Sequence, residues 1–97
     1  MNIQKMIQQA QKLKSELADA QARIQASEHE GSAAGGLVRI RMQGNYKVLS
    51  VHIDPSAMEE EASMLEDMIS VALGDVLGKI DQFSKAQTPT LPGGMGF

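Results

Sequence analysis

Between Gly35 and Ser56 the sequence GGLVRIRMQGNYKVLSVHIDPS alternates apolar and polar residues twice, once on each side of Gly44-Asn45. That pattern specifies a β-hairpin with one apolar face, running into the start of a helix. Val38, Ile40 and Met42 share a face in the first run, and Leu49, Val51 and Ile53 in the second. With Gly44-Asn45 as a two-residue loop, Ile40 is expected opposite Leu49 and Val38 opposite Val51. Arg39 then meets Ser50, and Arg41 meets Val48, on the other face. A hairpin alone is marginal in water, so flanking helices or a third strand must cover its apolar side.

Helical periodicity flanks the hairpin on both sides. From Asn2 to about Ala26 there is no Gly or Pro, and Ile3, Met6, Ala10, Leu13, Leu17, Ala20 and Ile24 recur at threes and fours, a coiled-coil seam. About 25 residues at 1.5 Å each make a rod of about 37 Å, longer than a two-stranded hairpin covers. Part of it should project or pair with a partner helix. Lys5, Lys12 and Arg23 fall on one flank of the rod and Lys14 on the other. Lys12 with Glu16, and Asp19 with Arg23, have the i,i+4 spacing of intrahelical pairs. No carboxylate precedes Glu16, however, so the tip of the rod is uniformly positive.

After the hairpin, Asp54-Pro55-Ser56 is a helix entry, with Pro in the first turn and Asp or Ser as the cap. Ser56 and Glu59 also have capping-box spacing. Glu59, Glu60 and Glu61 suit the positive end of a helix dipole. The main helix is expected from about Glu61 to Ala86. Leu65, Ile69, Ala72, Val76, Ile80 and Phe83 form its stripe, widened by Met64, Met68, Val71 and Leu77. This apolar surface exceeds what one small sheet needs, and its surplus is expected to meet a second subunit through Leu65, Met68, Ile69, Ala72 and Val76. Gly74 and Gly78 each cost helix propensity by about 1 kcal/mol relative to Ala. They mark either close approach of another backbone or a tolerated weak stretch.

Composition narrows the possibilities. At 97 residues the chain is one domain near the small end of what buries its own core, and only 3% of it is aromatic. Packing rests on Leu, Ile, Val, Ala and seven Met, a shortage that oligomerisation relieves. Without cysteine there is no disulfide or thiolate metal site, and a reducing cytoplasm is the plain reading. No apolar run reaches membrane-spanning length and no signal-peptide core is present, so a soluble cytosolic protein is expected. The net charge of −3 is unevenly spread. Residues 1–53 hold seven basic and four acidic side chains, a balance of +3, while residues 54–97 hold two and eight, a balance of −6. Only the first half attracts phosphate.

Residues 27–36, SEHEGSAAGG, read as a polar, Gly-rich loop with room for a short edge strand at Ser27 to Gly31. Glu28, His29 and Glu30 do not make a metal site, since three consecutive strand residues cannot converge on one ion and His52 has no ligand spacing to them. No nucleophile-with-base motif, phosphate-cradling loop or ligand cluster suggests an enzyme, a cofactor or a small-molecule substrate.

The runs GLVRIRMQGNYKVLSVHIDPS and MLEDMISVALGDVLGKI, preceded by a Gln/Lys-rich helix and followed by a Pro/Gly/Met tail, resemble the YbaB/EbfC family of bacterial nucleoid-associated proteins. The resemblance covers essentially the whole chain. Its most specific parts are Gly36-Leu37-Val38, the Gly44 turn, Ile53-Asp54-Pro55-Ser56 and Met64-Leu65-Glu66-Asp67. It implies a two-layer α+β fold, with a three-stranded antiparallel sheet between a long N-terminal helix and a C-terminal helix, and a third strand near Ser27 to Gly31. The domain would span residues 1–86, with a flexible tail over 87–97. It further implies a tweezer-shaped homodimer that binds double-stranded DNA in the cytoplasm, at the nucleoid. The positions matching the family's DNA-contacting helices are Lys5, Lys12 and Lys14 on the first helix and Lys79 and Lys85 on the last, where basic residues are fewer than the family pattern has.

With no recognition-helix constellation and no row of aromatic platforms, backbone or shape binding to duplex is expected rather than base reading or single-strand binding. A coiled-coil adaptor holding a protein partner is the competing reading. It accounts for the seam and the acidic half but gives no reason for the positive tip.

Overall fold

The computed structural model describes residues 2–88, and the proposed tail lies almost wholly outside them. Helix α1 (Ile3–Ala26) leads into strand β1 (Glu28–Ala33), strands β2 (Val38–Gln43) and β3 (Val48–Ile53), a 3-10 turn over Pro55–Glu59, and helix α2 (Ala62–Gln87). The sheet is antiparallel in the order β1-β2-β3. The expected α+β architecture is therefore present, with both helices within a residue or so of their expected limits.

Caps follow local chemistry. The Asn2 side chain accepts the Lys5 amide and starts α1. Asp54 starts the 3-10 turn by accepting the Ser56 amide at 3.0 Å and the Ser56 hydroxyl at 2.8 Å. The Ser56/Glu59 capping box does not form, because those residues belong to the 3-10 turn and α2 begins later, with Glu61 at its N-cap.

The hairpin corrects the expected register. Val38 pairs with Ile53, Arg39 with His52, Ile40 with Val51 and Arg41 with Ser50, and a bulge then sets Met42 opposite Val48. The pairing of Ile40 with Leu49 and Val38 with Val51 is displaced by two residues. One residue of the displacement comes from the turn, which spans Gly44, Asn45 and Tyr46 rather than two residues, and the other from the bulge at Leu49. The turn is closed by Tyr46 N–H to the Gln43 carbonyl at 2.8 Å and Gln43 N–H to the Lys47 carbonyl at 2.9 Å, with Tyr46 at φ 69°. Beyond the bulge the displacement is even, so Val51 and Ile53 keep the expected face with Ile40 and Val38, whereas Val48, expected opposite Arg41 on the other face, comes to lie beside Met42 on the core side.

That core lies between the sheet and α2. Val38, Ile40 and Met42 meet Met68, Ala72, Val76 and Ile80, with Ala33 and Ala57 filling the edges. Burial of each large aliphatic side chain contributes about 1.5–3 kcal/mol. Helix α2 lies over β1 and β2, its backbone so close to β1 that a Cβ on Gly31 would stand 2.4 Å from the Ala72 carbonyl oxygen. Strand β3 is left uncovered. Val48 and Val51 remain 52% exposed although they face the same side as the buried Met42 and Ile40.

Two carboxylates tie this frame to pH. The Ser32 amide, with help from Lys79, holds Asp75 below its usual 3.8, and the Ser56 amide and hydroxyl do the same for Asp54. A carboxylate with a depressed folded pKa stabilises above its unfolded value and loses that contribution as pH falls through the folded one. Thermal stability is thus expected to decline below about pH 4, and Asp75→Asn to show a shallower decline in melting temperature between neutral and acid pH.

Candidate nucleic-acid interface

Among the described residues, the buried side chains of α1 lie in its last turns. Ala20 and Ile24 are buried, whereas Ile3 is 70% and Leu17 43% exposed, and the molecule extends over 69 × 23 × 16 Å. In the single chain the N-terminal helix extends past the body with its seam exposed, as expected of a helix that projects or pairs with a partner helix. Its root is fixed by polar contacts. The Ser27 hydroxyl donates to the Ile24 carbonyl at 2.6 Å, the Gly44 amide donates to the Ser27 carbonyl at 2.9 Å, and Arg23 Nε donates to Gln87 Oε1 at 3.0 Å. With its proton given to Ile24, the Ser27 hydroxyl accepts from His29 Nε2 at 2.8 Å, and the His29 ring meets Phe83 edge-on at 5.1 Å. His29 is thus part of the arm's root.

The five lysines singled out from sequence fall into two groups. Lys5, Lys12 and Lys14 are exposed on the projecting helix and have no ion-pair partner among the described residues. Neither expected intrahelical pair, Lys12 with Glu16 or Asp19 with Arg23, comes within ion-pair distance. On α2, by contrast, Lys85 lies 3.0 Å from Asp81, and Lys79 lies 3.5 Å from Asp75 while donating to the Glu30 carbonyl at 2.8 Å. Both α2 lysines are locally neutralised, and Lys79 is committed to the sheet. Arg41, on the body, is paired with Glu28 at 2.6 Å. Among the described residues the exposed basic side chains outside ion pairs are Lys5, Lys12 and Lys14 on the arm, Arg23 at its root, and Arg39 and Lys47 on the body.

The apolar stripe of α2 divides in a similar way. Met68, Ala72 and Val76 are buried within the single chain, against the sheet, so the area expected to meet a second subunit is already covered there. Leu65 and Ile69 are half-buried against the same core. Among the described residues nothing lies within 4 Å of a Cβ position at Gly74 or Gly78, so packing between those residues does not account for them. What sequence reasoning missed is Gly31, where α2 makes its close approach, and the bulge that turns Val48 toward the bare side of β3.

Fold and arm together define a small α+β domain carrying a projecting cationic helix. The chain belongs to the YbaB/EbfC DNA-binding family, whose profile matches residues 1–95. It is 37% identical over 91 residues to a nucleoid-associated protein of Methylococcus capsulatus, an alignment covering 94% of this chain and 85% of that one. It is 34% identical over 94 residues to a nucleoid-associated protein of Legionella pneumophila, covering 97% and 84%. An uncharacterized protein of Helicobacter pylori shares the fold, with a TM-score of 0.70 at 20% identity over 89% of this chain and 91% of that one. Among the described residues no helix is long and apolar enough to cross a membrane.

Proposed function

We propose that this chain is a nucleoid protein of the bacterial cytoplasm that binds duplex DNA as a homodimer, through the backbone rather than the bases. One observation carries this reading: the projecting helix bears Lys5, Lys12 and Lys14, exposed and with no ion-pair partner among the described residues. Lysine is a flexible point charge suited to anchoring phosphate without reading sequence. A dimer presents two such arms, and linked weak contacts gain avidity without any new interaction. The family's description and the names of its relatives support DNA as the partner. A mobility-shift titration of duplex against salt tests the reading.

The second copy belongs on the β3 side. Val48, Val51 and the half-buried Ile53 line the uncovered part of the sheet. Leu73 and Leu77, which are exposed, together with Ile69, lie on the flank of α2 opposite Asp75, which is the flank toward β3. Self-pairing of two β3 edges about a two-fold axis joins these bare surfaces. Sedimentation at micromolar concentration is expected to give twice the protomer mass of 10.4 kDa. A single 10.4 kDa species would rule the dimer out.

The adaptor reading draws on the exposed seam at Ile3, Met6 and Leu17, which suits a partner helix. Full duplex binding by a variant in which Ile3, Met6 and Leu17 are polar separates the two readings in favour of DNA.

A further inference from the structure

The two edges of the sheet are treated differently. In β1 the outward-pointing groups on either side of Gly31 are the Glu30 carbonyl and the Ser32 amide. The amide donates to Asp75 Oδ2 at 3.0 Å, and the carbonyl accepts from Lys79 Nζ at 2.8 Å. These are the two groups that one residue of a neighbouring parallel strand would engage, with its own carbonyl and amide. Asp75 and Lys79, one turn apart on α2 and 3.5 Å from each other, occupy the place of that residue. The reach is short because Gly31 lets the α2 backbone settle onto β1. At the opposite edge, no described side chain bonds to the backbone of residues 48–53.

We propose that Asp75 and Lys79 are an edge stopper that closes β1 to strand addition, so that this chain associates with a second copy through β3 alone and stops at two. A sheet with both edges open adds a copy on each side and grows as an open ribbon. A sheet with one open edge is closed by a single two-fold contact. The depressed pKa of Asp75 keeps its carboxylate ionised, and therefore an acceptor, across the neutral range. The inference rests on the dimer reading above for the β3 contact and for the stop at two; the closure of β1 stands on its own contacts.

The test is sedimentation velocity of Asp75→Ala/Lys79→Ala beside the unsubstituted protein over a concentration series, with circular dichroism to establish folding. The variant is expected to reach at least double the mass of the unsubstituted protein and to keep growing with concentration. A folded variant that keeps the parent mass throughout would overturn the proposal. The parent's own mass reports on the β3 dimer, so the two failures are distinct. Adding Ser32→Pro, which removes the outward amide, should return the double variant to the parent mass; persistent growth would show non-specific aggregation and sink the idea. If the double variant does not fold, Lys79→Met, which frees only the Glu30 carbonyl, carries the same expectation and the same overturning result.

Discussion

Replacing Lys5, Lys12 and Lys14 together by Gln is expected to weaken binding to unrelated duplexes alike, by about tenfold or more at low salt, or about 1.4 kcal/mol. The dependence of affinity on salt should flatten as well, by up to about 0.9 in log-log slope for each phosphate left without its lysine. Affinity and slope move together because a lysine on phosphate gains mainly by releasing counterions. The variant should keep its fold and its mass, since all three side chains are exposed and none lies on the seam from Ile3 to Ile24. Two comparisons make the result specific to the arm. Lys85→Gln with Asp81→Asn removes a pair already closed at 3.0 Å, leaves the net charge unchanged, and should leave affinity unchanged. Arg39→Gln with Arg41→Gln removes charge from the body, where Arg41 is held by Glu28. Unchanged affinity and slope in the triple variant would end the arm reading, and a larger effect from the arginines would move the site to the sheet.

The largest effects on stability are expected at two glycines. In Gly44→Ala the new Cβ would stand 1.7 Å from the Ile24 carbonyl oxygen, and in Gly31→Ala 2.4 Å from both the Ala72 oxygen and the Val76 nitrogen. All of these are backbone atoms, so an element must move. Each substitution should cost about 3 kcal/mol or more, lowering the melting temperature by on the order of 10–20 °C. Gly74→Ala and Gly78→Ala should do the reverse. Neither Cβ meets anything, and each gains up to about 1 kcal/mol of helix propensity. If they also weaken self-association, close approach of a second copy explains those glycines; if not, they are a tolerated weak stretch. Thermal unfolding followed by circular dichroism measures the first effect, and sedimentation the second.

What could be read from the sequence was what is decided locally. The faces of the hairpin follow from alternation at Val38, Ile40 and Met42, and those of Val51 and Ile53 survived because the register error there is even; nearer the turn it is a single residue, and Val48 changed face. The register itself depended on Tyr46 adopting a left-handed conformation and on Gly44 being held beneath Ile24, which no local pattern announces. Strand β1 was faint for a related reason. Its inward positions at Gly31 and Ala33 are small so that α2 can come close, and the apolar signal of a buried strand is therefore missing from EHEGSA. The basic tip was legible because charge needs no fold to be counted. The capture of Lys79 by a carbonyl 49 positions away was not. Nor could the stripe of α2 reveal which of its residues face inward, since that depends on the helix crossing β1 and β2 and leaving β3 bare.

The slender attachment of α1 makes it a lever. From Ala20 to Ile3 the helix runs about 26 Å with no other buried residue among those described, so a tilt of about 10° at its base carries the tip by about 4–5 Å. That travel exceeds the rise of about 3.4 Å between successive phosphates of one strand. Small changes at the fulcrum, where Arg23, Ser27 and Gly44 make their hydrogen bonds, are thereby magnified at the far end. In the proposed arm reading, the grip of the tip would be set by the joint that aims it as much as by the lysines it carries.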